Sequence, residues 1–357
     1  MIDTSSHIES RWLPWFIVAI FALLGTVCLA VIISVGLSLA YVKSFTQTAG
    51  IDVPFVYSEI RQGLDSTPLQ SNGVKNVLIL GTDAVANRDD SFVLTDTMML
   101  VSLDLKSGTV RTLSLPRDLW SEEYQTKINA LYFYGNDIYP NNPEVFPTEV
   151  IQSMTGIPIH HTMIVSLDSL GTLIDSVEGI PIVVEHGFTD TQFPRTDVDI
   201  TSGDPDELYE TVTFVPGEEQ MNSTRALQYI RSRKSGDDEG TDVARGKRQQ
   251  QVIEALAKEL VSVSTFSDPE RLGKVYMWYK QNYQEVFPLH ELVATAQVLA
   301  AHVQSLSFVQ HTLSIFPDDP NGVIEHPDTR LTQNIWVYAI RDYEAFQQEV
   351  QSKLGIL

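Results

Sequence analysis

Residues 75–118 read KNVLILGTDAVANRDDSFVLTDTMMLVSLDLKSGTVRTLSLPRD, three apolar runs set apart by polar punctuation. The runs at 76–81, 97–104 and 109–115 are short, and either continuously apolar or alternating, which is the period of β-strands rather than of helices. Lys106-Ser107-Gly108 supplies turn residues between the second and third runs, so these two predict a hairpin. With the first strand running up to Asp83, the second descending from Asp96 and the third returning to Arg117, these three side chains are expected at one edge of a sheet.

Outward from this segment, strands and helices interleave. Helical patterns lie around 127–135 and 147–155, a strand over 161–167, a helix over 168–177 and a strand over 180–185. Asn222 or Ser223 can cap a helix running to about Arg231, and Thr241 or Asp242 can open another reaching Val261. A helix around 289–305, a strand at 308–315, a loop through 317–328 and a terminal helix around 337–354 follow. No repeat interrupts this order, and the interleaving predicts a single α/β/α sandwich with a central mixed sheet over residues 75–357.

Towards the N-terminus the texture differs. Residues 12–42, WLPWFIVAIFALLGTVCLAVIISVGLSLAYV, carry no charge between Arg11 and Lys43. At about 1.5 Å per residue this run exceeds a hydrocarbon core of roughly 30 Å, and Trp12, Trp15 and Tyr41 sit where interfacial aromatics belong. It is expected to be a transmembrane helix. The rival, a cleaved signal with Ser38-Leu39-Ala40 as a small-x-small site, has too long an apolar stretch and too little leading positive charge. Residues 1–11 form a short tail and 43–74 an irregular stalk or linker, while charge alone leaves the orientation open. The single cysteine, Cys28, falls inside the span, so no intramolecular disulfide or cysteine-rich zinc site is available.

The full chain of 357 residues has 24 Lys and Arg against 46 Asp and Glu, a net charge of −22 that argues against a nucleic-acid binder. Its scarce cations are unevenly placed. Arg225, Arg231, Arg233, Lys234, Arg245, Lys247 and Arg248 fall between 225 and 248, and predict a local anion site. Asp242, Arg245 and Gln249 are spaced i, i+3, i+7 and share one helix face.

Asp83 and Asp96 are a plausible hard-cation pair, since Mg²⁺ usually takes one or two carboxylates and completes its shell with water and phosphate. Arg117 beside them offers a planar fork suited to phosphate oxygens. Alternatively the two aspartates cap turns and Arg117 pairs with one of them. Other motifs are excluded by spacing: Gly240 to Gly246-Lys247 has five residues between its glycines and Arg248 where a P-loop needs Ser or Thr, and no G-x-S-x-G, H-E-x-x-H or G-x-G-x-x-G occurs. His160-His161 lacks a third ligand at useful spacing and is assigned to packing.

The segments at 76–83, TDTMML at 95–100, SLPRD at 114–118, KINA at 127–130, ALQYIRSR at 226–233 and the run from Arg245 to Gln250 together resemble, in this order, the LytR-CpsA-Psr family of envelope phosphotransferases. The resemblance covers roughly residues 75–350, and a membrane anchor ahead of the domain fits it. It implies an extracytoplasmic enzyme, held at the cell membrane by one helix with residues 1–11 cytoplasmic. Such an enzyme moves a glycopolymer through its phosphate from a polyprenyl-pyrophosphate lipid onto peptidoglycan.

Carried over by position, the resemblance implies that Asp83 and Asp96 hold Mg²⁺. Arg117, Lys127, Arg231, Arg233, Arg245 and Gln249 would surround the phosphates, and Asp242 is a candidate base or a partner that orients an arginine. Leu94 stands where many members carry a phosphate-contacting arginine, for which Arg88 is a candidate substitute. The apolar stretches between Ile157 and Val184 are expected to line the prenyl cavity. Two other readings remain: hydrolysis of the pyrophosphate by water, and a non-catalytic polyprenyl-phosphate binder or regulator.

Overall fold

The computed structural model describes residues 36–51, 53–82, 93–195, 208–236, 238–260, 262–283, 286–302, 307–332 and 334–357. Its frame is a five-stranded mixed sheet built from β1 (Val74–Thr82), β2 (Thr95–Asp104), β3 (Thr109–Leu115), β4 (His161–Ser166) and, last in the chain, β9 (Ser307–Thr312). The order across the sheet is β9-β3-β2-β1-β4. β1 and β2 are antiparallel, with Val77 opposite Val101 and Gly81 opposite Thr97. β2 and β3 form the expected hairpin, Met98 opposite Leu115 and Asp104 opposite Thr109. β4 joins β1 in parallel, and β9 joins β3 in parallel.

Local chemistry explains the hairpin. The Asp104 carboxylate accepts the backbone N–H groups of Lys106 at 2.9 Å and Ser107 at 3.2 Å, closing an Asx turn. Gly108 follows at φ 73°, a conformation that L side chains disfavour.

Strand alternation divides the sheet between two cores. Leu78 and Leu80 of β1, Met98 and Leu100 of β2 and Leu113 and Leu115 of β3 point into one. Helices α2 (Leu131–Ile138), α3 (Val145–Thr155) and α9 (Tyr343–Lys353) cover it, through residues such as Leu131, Phe146, Val150, Phe346 and Val350. Leu80 is fully buried there, and its truncation to alanine would cost about 2–5 kcal/mol.

Met163 and Val165 of β4 face the other core. Around it are α4 (Leu167–Ser176), α5 (Ser223–Arg231), α6 (Asp242–Leu260) and α7 (Pro269–Asn282). Two antiparallel ribbons complete this side, β5 (Ile180–Val184) with β8 (Gly217–Met221), and β6 (Phe188–Pro194) with β7 (Tyr209–Phe214). The protein is thus a mixed α/β fold about a central mixed sheet, as the interleaved pattern predicts.

Two sequence expectations differ from the structure. The lead-in at 43–74 is not irregular: the chain is helical over 36–49 and again in α1 (Val53–Leu64). Glu291 of α8 (Leu289–Ala300) accepts the Leu69 N–H at 2.6 Å, and Gly63 of α1 sits too close to Val293 of α8 to carry a Cβ. An apolar helix face that needs a partner explains the packing, which the mixed Gln, Ser and Gly composition hides.

The terminal helix starts at Tyr343 rather than near 337, because the Asp342 side chain accepts the Ala345 N–H at 2.9 Å and caps it there. Residues 339–340 are instead strand. The predicted span at 12–42 lies mostly outside the described residues, and no helix among those described is long and apolar enough to cross a membrane.

Candidate active site

The first residues of β2 and the segment following β3 meet at one edge of the sheet. Arg117 Nη1 donates to Asp96 Oδ1 at 2.6 Å, and Arg117 Nε lies 3.5 Å from Asp118 Oδ2. Asp118 also pairs with Lys127 Nζ at 2.6 Å. The result is an alternating relay of charges, Lys127, Asp118, Arg117 and Asp96, anchored by a turn in which Leu119 N–H donates to Pro116 O at 2.9 Å. Gly81 lies opposite Thr97 where β1 reaches this edge, and a Cβ there would come within 2.8 Å of the Thr97 side chain. Glycine permits the close approach.

The second contribution comes from the junction of α5 and α6. Asn222 caps α5, accepting the Arg225 N–H, and the helix ends at Arg231 with Ser232 in an extended conformation. Thr241 Oγ1 accepts the Ala244 N–H at 3.2 Å and opens α6. Between them the loop is held by two buried groups. Asp190 of β6, 1% exposed, accepts the backbone N–H groups of Arg233 at 2.9 Å and Lys234 at 3.1 Å.

Arg248 is 2% exposed and donates to Tyr229 O at 2.9 Å, Ser232 O at 2.7 Å, and Glu239 O and Oε2 at 2.8 Å each. Its guanidinium also lies 4.6 Å from the Phe188 ring centre. Burial draws its pKa down, opposed by Glu239. Burial likewise pushes the Tyr229 hydroxyl up to about 12, leaving it a neutral donor to Gln251 at 2.9 Å.

Between these two contributions opens a cavity of about 920 Å³. Asp96, Arg231, Arg233, Lys234, Arg245 and Gln249 line its polar end. Met163, Val165, Leu167, Leu170 and Leu173, all within 157–184, line its apolar part, together with Val252, Leu256, Ala257 and Leu260 of α6 and Trp278 of α7. Along α6 the distance from Arg245 to Leu260 is about 22 Å, so the cavity grades from cationic to apolar over that length.

The seven-cation cluster of the sequence therefore divides. Arg231, Arg233, Lys234 and Arg245 line the cavity. Arg225 instead binds Glu219 at 2.5 Å and the carbonyl of Thr213 at 2.7 Å, Lys247 is exposed on α6, and Arg248 is structural. A charge run cannot reveal which cations the fold turns inward. Arg117 lines not the large cavity but a smaller one beside it, and Lys127 lines neither. Leu94 is 42% exposed. Asp83 and Arg88 lie outside the described residues, as does the side chain of Asp242. Asp190 and Trp278 were missed at the sequence level; Asp190 is one acid in a β-ribbon and carries no motif.

A hard cation is compatible with the donor set present. Asp96 is a partly exposed carboxylate beside Arg117 that lines both cavities, and Thr82, the residue before Asp83, is registered with Thr95. Among the described residues no group of three or more His, Cys, Asp or Glu converges, so any metal here would rely on few protein ligands, as Mg²⁺ does.

The cavity is cationic at one end and apolar along the rest, the arrangement that suits an amphiphile with an anionic head. The LytR_cpsA_psr family model matches residues 43–352, and the chain belongs to that family. The polyisoprenyl-teichoic acid–peptidoglycan teichoic acid transferase TagV of Bacillus subtilis is 26% identical over 254 residues, 68% of this chain and 59% of that one. The chain thus spans less than two thirds of that relative. The TagU transferase of Bacillus mycoides is 23% identical over 319 residues, 84% of this chain and 89% of the relative. The crystal structure of Bacillus subtilis TagV shares the fold with a TM-score of 0.55 and 21% identity, covering 81% of this chain and all of that one.

Proposed function

We propose that the protein is a phosphotransferase that moves a glycopolymer, through its phosphate, from a polyprenyl-pyrophosphate lipid onto peptidoglycan. The cavity carries this reading, because its apolar length suits a prenyl chain and its cations suit a pyrophosphate. The names of TagV and TagU support the same donor and acceptor classes.

In the proposed reaction an acceptor hydroxyl oxygen forms a bond to the sugar-proximal phosphorus. The bridging P–O bond breaks, polyprenyl phosphate leaves with the electron pair, and the hydroxyl proton passes to water. Arg231, Arg233 and Arg245 stabilise charge on the phosphate and leaving oxygens, and Arg117 acts from the β3 side. Asp96, with Asp83, would hold Mg²⁺, which when bound would neutralise pyrophosphate charge.

The uncharged run at 12–42 supports a single membrane-spanning helix before the domain, keeping the cavity near the bilayer that contains the donor. The domain would then be extracytoplasmic, where peptidoglycan lies. The test is full-length protein in detergent with lipid-linked donor, with and without peptidoglycan. The expected result is acceptor-dependent attachment of polymer and release of polyprenyl phosphate; acceptor-independent phosphate release would replace transfer by hydrolysis.

A further inference from the structure

The cavity that Arg117 lines, of about 100 Å³, shares Asp96, Thr97, Arg245 and Gln249 with the large one. The rest of the two linings comes from different halves of the sheet. The large cavity lies against β1 and β4 through Ile79, Gly81, Met163 and Val165. The small one lies against β3 and β9 through Ser114, Leu115, Thr312 and Leu313. β2 stands between these halves, so two openings reach one charged group from two sides. Displacement at phosphorus needs that arrangement, with the attacking and leaving oxygens roughly in line.

One aromatic residue borders the small cavity. Tyr338 lines it, and its backbone is fixed to the arginine segment, its N–H donating to Asp118 O at 2.9 Å and its carbonyl accepting the Trp120 N–H at 2.8 Å. The Trp336 ring packs edge-on to Tyr338 at 4.8 Å and lies 4.4 Å from the ring of His326. His326 Nδ1 is 2.9 Å from the Val337 carbonyl, which holds this ring in place. Trp336 is nevertheless 39% exposed and its neighbour Ile335 41%. Trp336 does not itself line the cleft and joins it through Tyr338; an exposed indole so joined to a cleft lined by Ser114, Thr312 and Gln249 is the chemistry that binds a sugar, with the apolar C–H face on the ring and the hydroxyls on polar side chains.

We propose that the small cavity and the Trp336–Tyr338 shelf are the acceptor subsite, which takes a hexosamine residue of a glycan strand and aims one hydroxyl at the phosphorus held beside Asp96 and Arg245. This rests on the transferase reading and adds to it the place and chemistry of the acceptor. The acceptor oxygen enters from the β3 side, and polyprenyl phosphate departs into the large cavity.

The test uses full-length protein in detergent and a soluble tetrasaccharide of alternating N-acetylhexosamines. Saturation-transfer NMR without any donor should show contact to the pyranose C–H protons in the wild type, at least fivefold weaker in Trp336→Ala and retained in Trp336→Phe. In transfer assays Trp336→Ala should raise the acceptor KM about tenfold and leave the donor KM within twofold. Wild-type contact and acceptor KM in Trp336→Ala would overturn the subsite. Glycan contact through Trp336 in a protein that transfers no polymer would overturn the transferase reading and leave the subsite standing.

Discussion

One oxygen of the buried Asp190 carboxylate accepts the backbone N–H groups of both Arg233 and Lys234, so an acid at the edge of the large cavity sets the course of the cationic loop. Its other oxygen accepts the Gln192 N–H at 2.9 Å. Hydrogen bonds to a charged acceptor contribute about 1.5–3 kcal/mol each, and their loss frees the loop. Asp190→Ala is expected to weaken polyprenyl-phosphate binding about tenfold with every arginine still present. Calorimetric titration in detergent checks this, and an unchanged Kd would show that the loop holds its course by itself.

Arg117 and Arg231 approach the proposed phosphate position from the two halves of the site, one from the end of β3 and one from the end of α5. Removing one preorganised donor of this kind costs about 10²–10³ in rate. Arg117→Ala and Arg231→Ala are each expected to lower kcat for polymer transfer by at least that factor, with the thermal unfolding midpoint little changed. Near-normal turnover by either variant would displace that arginine from the site.

How much of this could be read from the chain differs by feature. The β1 to β3 frame was legible because its strands are consecutive and its turn is written in Asp104 and Gly108. The meeting of Asp96 with Arg117 followed from the antiparallel alternation alone. What the sequence hides is long-range. β9, nearly two hundred residues after β3, reads as a strand, but nothing local says that it pairs with β3 and so helps build a second opening. Of the cluster at 225–248, Arg231, Arg233, Lys234 and Arg245 line the cavity, and the sequence does not show that Arg248 is packed inside, since it differs from Arg245 only in which side of α6 it occupies. The N-terminal lead-in was misread because α1 is stabilised by α8, far away in sequence, rather than by its own composition.

Ala257 lines the apolar end of the large cavity, where a bulky side chain would occupy the volume assigned to the prenyl chain. Ala257→Trp is expected to raise the Kd for a long-chain polyprenyl pyrophosphate at least tenfold while binding of a two-isoprene pyrophosphate is unaffected, because Arg245 lies about 18 Å away along α6. Competition binding with the two lipids checks it. Equal loss for both would point to a disturbed fold, and loss for neither would place the tail elsewhere.

At the opposite end of the sheet, His160 and His161 titrate below the usual imidazole value, chiefly through burial, with Lys75 and Glu291 the charged groups facing them. His160 Nδ1 accepts the Asn76 N–H at 2.9 Å, which a protonated ring cannot do, and its Nε2 lies 3.0 Å from Ser71 Oγ. His161 stacks on Phe287 at 4.2 Å. With both folded values lowered, the unfolded chain binds the additional protons as pH drops below its own value of about 6.5. Stability from this pair is present above about pH 6.5 and is lost as the pH falls from there through the lowered folded values. Thermal unfolding between pH 5 and 8 should therefore show a midpoint that declines below 6.5 in the wild type. The decline should be shallower in His160→Gln, which keeps an acceptor for Asn76 and cannot titrate. Parallel profiles would assign the acid sensitivity to groups other than His160.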